Sequence, residues 1–204
     1  MAVFKTNLKK FMQVQSKMDD SSLIALYQEG EKEAMSELVN RHKEKIFTSI
    51  VLLVKDHSLA EDIFQETFIK IIKKFNSGQY KEKGKFLPWA IRIAHNMCVD
   101  HFRRKKRMPM VRNNEEEDIF NLIPFSDPGA EEDMITRQSR MQVRKMLDML
   151  SPEQREVIIL RHYGGLSFKE ISVQTNVSIN TALGRMRYGL INLRKIMEKK
   201  EICL

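Results

Sequence analysis

The sequence predicts an all-α chain: two small helical domains joined by a flexible acidic linker, the C-terminal one a helix-turn-helix. Three observations carry this. Apolar residues recur at helical spacing across 20–107 and again from Met134 onward, and no stretch alternates as a half-buried strand does. Between these blocks, from Met108 to about Ala130, the periodicity gives way to Glu115-Glu116-Glu117-Asp118, Pro124 and Pro128-Gly129. Near the C-terminus two capped helical stretches flank a three-residue turn, and the second is longer and basic. The division that results is an N-terminal extension over 1–18, a helical domain over 19–107, a linker over 108–133 and a second domain over 134–204.

The elements follow in order. Asp20 to Gln28 has the pattern of a short helix that Gly30 ends. Ala34 to Val54 carries Leu38, Ile46, Phe47, Ile50, Val51 and Val54 on one face, and Asp56-His57-Ser58 breaks it. Ser58 with Glu61 three residues later has the spacing of a capping box, predicting a helix from Leu59 to Phe75. That helix keeps Ile63, Phe64, Phe68, Ile71 and Ile72 for a core and turns Asp62, Gln65, Glu66 and Lys70 outward. Asn76-Ser77-Gly78 opens a lysine-rich loop to Lys85. Pro88 then stands where a first helical residue would, its missing N–H costing nothing.

Winding Trp89 to Arg107 at ~100° per residue separates two faces. Ala90, Ile93, Ala94, Met97, Cys98 and Phe102 gather on one, and Trp89, Arg92, Asn96, Asp100, Arg103 and Arg107 on the other. Cations for phosphates, with a flat ring or amide for bases, are what a surface for single-stranded nucleic acid requires. A solvated face with Trp89 capping the core fits the same residues.

In the C-terminal block, Met134, Met141, Met146, Leu147 and Leu150 restore helical spacing. Ser151-Pro152-Glu153-Gln154 places a cap, a proline and a capping-box glutamine at one helix start, with 157–160 (VIIL) buried and Gly164-Gly165 at the end. Ser167 and Glu170 form another capping box, opening a helix to Gln174. Thr175-Asn176-Val177 is the turn, in which Asn176 takes the left-handed conformation, and Ser178 caps a helix to about Lys199. On it Ile179, Ala182, Leu183, Met186, Leu190 and Leu193 are expected inside. Thr181, Gly184, Arg185 and Tyr188 are expected outside, with Asn180 and Arg187 at the margin. Such side chains reach base edges in a major groove. An αα-hairpin for protein contact would carry the same caps.

The totals set limits on function. At 204 residues, 30% charged and 42% hydrophobic, the composition is that of a soluble globular protein. No apolar run approaches the ~18–20 residues of a membrane span. The N-terminus MAVFKTNLKK lacks the apolar core of a secretory signal, so a cytoplasmic location is expected. Cys98 and Cys203 cannot make a zinc site by themselves, and Cys98 reads as a buried free thiol. The five histidines and the carboxylates show no metal-ligand or acid–base spacing, and His101 reads as a core residue. No enzyme activity, cofactor, metal or small-molecule substrate is expected. The net charge of +8 is unevenly spread: Lys and Arg outnumber Asp and Glu by 21 to 13 over 1–110 and by 13 to 6 over 136–204. Over 111–135 they are outnumbered 8 to 1. Two basic blocks around an acidic spacer are an electrostatic footprint for nucleic acid.

With these motifs in place, the chain resembles the extracytoplasmic-function sigma factors of bacterial RNA polymerase. The resemblance rests on AEDIFQETFIKI (60–71), FLPWAIRIAHNMCVDHFRR (86–104), LSPEQREVIILRHYGGLSFKEIS (150–172) and SINTALGRMRYGLINLRK (178–195), in this order around an acidic linker. It implies core RNA polymerase (the β′ clamp helices and the β subunit) and promoter DNA as partners, and an anti-sigma factor, soluble or membrane-anchored. Asp62, Gln65, Glu66 and Phe68 would bind core polymerase. Asn76, Lys83, Lys85, Trp89, Arg92, Asn96, Arg103 and Arg104 would melt and hold the −10 strand. Ser178, Asn180, Thr181, Gly184, Arg185, Arg187 and Tyr188 would read the −35 duplex, and the linker would thread toward the polymerase active centre. The chain departs from the family at Leu183 and Gly184, often a basic residue and a serine, and at Tyr188, often an arginine; Thr175-Asn176 replaces the usual Leu-Gly of the turn. The residues alone also fit a two-domain helix-turn-helix regulator that does not bind polymerase.

Overall fold

A computed structural model describes residues 18–80, 84–107 and 134–200, the side chains of the last stretch from Met141 onward. The linker at 108–133, the extension up to residue 17, Lys83 and Cys203 lie outside the described residues. Among those described there are eight helices and no strand. They are α1 (Asp20–Gln28), α2 (Lys32–Val54), α3 (His57–Asn76), α4 (Phe86–Arg107), α5 (Met134–Asp148), α6 (Pro152–His162), α7 (Phe168–Gln174) and α8 (Ile179–Lys199).

Local chemistry sets most of the boundaries. Ser151 caps α6 by accepting from Gln154 N, and Ser178 caps α8 by accepting from Thr181 N. Ser167 and Glu170 form a reciprocal capping box on α7. Asn176 holds φ at +53° in the turn, as an asparagine tolerates. Two starts differ from the sequence reading. Asp56, not Ser58, caps α3, its carboxylate accepting from Leu59 N at 2.9 Å. An aspartate serves an N-cap as well as a serine does, so the helix begins earlier and places Ser58 and Glu61 inside it. Likewise α4 begins at Phe86, whose ring is buried beside Phe75 and Trp89, and Pro88 is its third residue. The proline still costs no bond, because the first four N–H groups of a helix lack intrahelical partners.

Helices α1 to α4 build one core from Leu23, Leu38, Ile46, Ile50, Ile63, Ile71, Phe86, Ile91 and Ala94. Cys98 lies in it, and burial pushes its thiol up to about 12, where the reactive thiolate is absent at neutral pH. Helices α6 to α8 pack on each other through Val157, Leu160, Leu166, Ile171 and Ala182, which are continuous with that core. A second cluster joins Leu52 of α2 to Leu147, Leu150, Ile158 and Ile159. The two helical units therefore share apolar contacts, and Lys55 reaches Asp148 at 3.0 Å across the same seam.

Gly164 stands at that seam with no room for a side chain. A Cβ there would stand 2.7 Å from the Leu160 carbonyl oxygen and 2.9 Å from Ile91 Cγ2. The carbonyl belongs to the end of α6 and cannot yield as a side-chain tip can. Gly164→Ala is expected to cost about 1–3 kcal/mol, as overpacking of a filled site does, read as a lower urea midpoint with unchanged slope. A wild-type midpoint in this variant would contradict the close approach.

Candidate nucleic-acid interface

Asp62, Gln65 and Glu66 project from α3 at i, i+3 and i+4 and all three are exposed. Phe68, expected on the same surface, is instead buried: its ring meets Phe64 edge-on at 4.9 Å. It backs the surface from inside. Below Asp62 and Glu66 runs a cleft of about 700 Å³ between α3 and the end of α4, floored by Val54, Leu59, Ile63, Met97 and Phe102 and flanked by Arg104 and Lys105. Phe102 and His101 were expected in the core. Phe102 is 44% exposed and His101 lines the cleft, because α4 outruns the bundle there.

Lys85, just before α4, and Asn96, Arg103 and Arg104 on it are exposed, and Arg92 is half-buried. Asn76, at the end of α3, is exposed and accepts from the Tyr27 hydroxyl at 3.3 Å. Trp89 lies on the outer side of the helical wheel, where it could hold a strand or cap the core. Its indole is half-buried, stacked on Phe75 at 5.7 Å and edge-on to Tyr80 at 4.4 Å. The ring ties the loop after α3 to the first turn of α4, and packing has won over the helical wheel. Arg92 and Asn96 do not stand free either. Arg92 Nη2 donates to Glu170 Oε1 at 2.5 Å, and Asn96 Oδ1 accepts from Gln174 Nε2 at 2.5 Å. Between them His95, almost wholly buried, has Nε2 at 2.7 Å from Glu156 Oε1 and Nδ1 at 2.8 Å from Gln174 Nε2. Sequence reasoning missed His95, Glu156, Glu170 and Gln174, since a contact between elements about 60–80 residues apart leaves no periodic trace.

In the helix-turn-helix, Ser178, Asn180, Thr181, Arg187 and Tyr188 are exposed, and Gly184 and Arg185 are half-buried. A Cβ at Gly184 would meet nothing within 4 Å, which leaves the backbone there open to close approach. Arg185 stands near Glu153, whose carboxyl is held below its usual range by its own backbone N–H first, then by Ser151 and, more weakly, Arg185. The inward stripe differs from expectation. Ala182, Met186, Gly189, Leu193 and Ile196 face the other helices, while Ile179, Leu183 and Leu190 are exposed. The cause is Gly189: a Cβ there would fall 2.9 Å from Ile158 Cδ1, so α6 and α8 meet over a glycine that a search for apolar side chains passes over.

Two family models match, in the order these surfaces occur. Sigma-70 region 2 matches residues 38–108, and Sigma-70 region 4 matches residues 140–183. The ECF RNA polymerase sigma factor SigE of Mycolicibacterium smegmatis is 33% identical over 175 residues, 83% of this chain and 65% of that protein. This chain belongs to the extracytoplasmic-function (ECF) sigma factors. The RNA polymerase sigma factor CarQ of Myxococcus xanthus is 27% identical over 86% of this chain and 96% of its own length. The chain thus spans just under two thirds of the SigE relative and nearly the whole of CarQ. The fold is shared with the sigma factor RpoE of Bartonella quintana, solved with the anti-sigma factor NepR, at a TM-score of 0.59 and 18% identity over 80% of this chain and 96% of that one. Sigma factors are non-enzymatic initiation factors. In this ECF sigma factor the region 2 match takes in α3 and α4 whole. The region 4 match stops at Leu183, so Gly184, Arg185, Arg187 and Tyr188 lie beyond it.

Proposed function

We propose that this chain is a promoter-specificity subunit that binds core RNA polymerase, opens promoter DNA around the −10 element and reads the −35 element as duplex. Nucleotidyl transfer belongs to the polymerase. The observation that carries the reading is the presence of both sigma regions, in order, on one chain. Residues 19–107 would form the polymerase-binding and strand-holding unit and 134–204 the duplex-reading one, with 108–133 as linker. An acidic rim at Asp62 and Glu66 over an apolar floor suits a basic amphipathic helix, as the β′ clamp helices would present. Arg92, Asn96, Arg103 and Arg104, with the loop before α4, would hold the melted strand. Ser178, Asn180, Thr181, Gly184, Arg185, Arg187 and Tyr188 would face the duplex.

Among the described residues no helix is long and apolar enough to cross a membrane, and a cytoplasmic site of action follows from the proposed partners. The RpoE relative is held by an anti-sigma factor. An anti-sigma partner of this chain, soluble or membrane-anchored, would shield the exposed Leu183, Leu190 and Tyr188 when transcription is not required. Pull-downs from uninduced cells that recover polymerase alone would contradict that part. The reading as a whole is tested by sedimenting the chain with purified core polymerase. Co-migration is expected, and a chain that stays at its own sedimentation position while still binding duplex DNA would support the polymerase-independent regulator instead.

A further inference from the structure

Two glycines of α8 differ in what they do for the fold. Gly189 is required by packing, because a Cβ there would fall 2.9 Å from Ile158 Cδ1. Gly184 has no such requirement: its φ is not in the left-handed region, and a Cβ would meet nothing within 4 Å. Glycine in a helix interior weakens the helix relative to alanine, so stability is lost here with no internal contact to offset it. The open notch is bordered at i−4, i−3, i+3 and i+4 by Asn180, Thr181, Arg187 and Tyr188, all of them exposed. The Thr181 hydroxyl lies 2.8 Å from the Ser178 hydroxyl at the helix cap, so its methyl is the part left for an incoming group. Tyr188, 60% exposed, adds an aromatic ring. Along its length α8 carries five Lys or Arg against one Glu, which suits a polyanion rather than the apolar face of another protein.

We propose that the Gly184 notch seats the 5-methyl group of a thymine in the major groove, which makes this glycine a specificity-determining position of the duplex-reading helix. The inference rests on the proposed function and adds to it the base that is read. The bare backbone admits the methyl, with the Thr181 methyl and the Tyr188 ring beside it. Thymine is the base whose major-groove edge carries such a group, and apolar surfaces, a threonine methyl among them, are its usual contacts. The paired adenine presents N6 and N7 in the same groove, a pattern that an asparagine amide matches with two hydrogen bonds. Asn180 stands one turn before the notch. Arg187, on the other side of it, supplies charge for the flanking phosphates. A cytosine at the same position would present no methyl and leave the notch empty.

The test starts from a pool of randomised duplexes selected by the full chain, alone and with core polymerase. The most enriched duplex is labelled and remade with each thymine in turn replaced by uracil, which removes the methyl and leaves the base pair intact. Fluorescence anisotropy is expected to show binding weakened about fourfold at one thymine, the worth of burying one methyl-sized group. Gly184→Ala fills the notch. It should raise the urea midpoint, as alanine is the better helix former and meets nothing there, yet weaken binding to the thymine duplex. Thymine and uracil at that position should then bind this variant alike. A lowered urea midpoint together with weaker binding would make the glycine a packing requirement and overturn the notch. So would an enriched duplex that binds equally well with uracil at every thymine, or a Gly184→Ala chain that still prefers thymine at the same place. Enrichment of no duplex, with or without core polymerase, would instead remove the duplex-reading function on which the notch depends.

Discussion

Reversing charge at Asp62 and Glu66 together should all but eliminate binding to core RNA polymerase while the chain stays folded. Both carboxylates are exposed on α3, and among the described residues neither enters an ion pair, so their loss removes nothing internal. Against a basic partner helix each reversal replaces an attraction with a repulsion. Removing one partner of a desolvated charge pair costs about 2–5 kcal/mol, roughly 30-fold or more in affinity. Asp62→Lys with Glu66→Lys is therefore expected to vanish from the polymerase fraction in sedimentation, with its far-ultraviolet circular dichroism and urea midpoint unchanged. Co-purification in full yield would mean that the polymerase docks elsewhere.

The second large effect separates the two DNA surfaces. Arg185 lies in α8, whose proposed partner is intact duplex. Arg185→Ala should weaken binding to duplex carrying the upstream element by about 1–3 kcal/mol, the worth of one good base contact. Opening of a template that is already melted should be unaffected. Asn96→Ala should do the reverse, because a hydrogen-bonded contact with a base edge is worth about 1–3 kcal/mol and with an unstacked base arises only after melting. Permanganate reactivity of the −10 thymines reads both on intact and pre-melted templates. The Asn96 variant also loses its bond to Gln174. If that bond were the residue's whole role, the variant would open promoters more readily than wild type; as a strand contact it opens them less. Arg185→Ala that blocks opening on the pre-melted template would contradict the division.

What the sequence made legible was whatever depends on near neighbours. Ser151, Ser167 and Ser178 cap the helices they were expected to cap, because a cap is a matter of three or four residues. Asn176 takes its positive φ for an equally local reason. The acidic amide face of α3 was legible too, since exposure there follows from the helical period alone. Misreadings cluster where a distant element decides. Trp89 has the angular position of a surface residue, yet Phe75 and Tyr80 draw it into an aromatic cluster. Leu183 and Leu190 have the character of a core stripe, yet α8 is rotated so that Gly189 meets Ile158. Phe68, offered as both core and contact, is core. The contact of α7 with α4 had no local signature: Glu170 is fully accounted for in sequence as a capping-box residue, and its second oxygen is free for Arg92 only in three dimensions.

The central claim is that this chain confers promoter choice on core polymerase, and reconstituted transcription tests it most directly. Purified core polymerase, fragmented DNA from the source genome and this chain are combined, and the 5′ ends of the transcripts are mapped with and without the chain. A discrete set of start sites that appears only with the chain, sharing one upstream and one downstream element at fixed spacing, is the predicted result. Start sites identical in both reactions, with the chain bound to duplex DNA on its own, would contradict it.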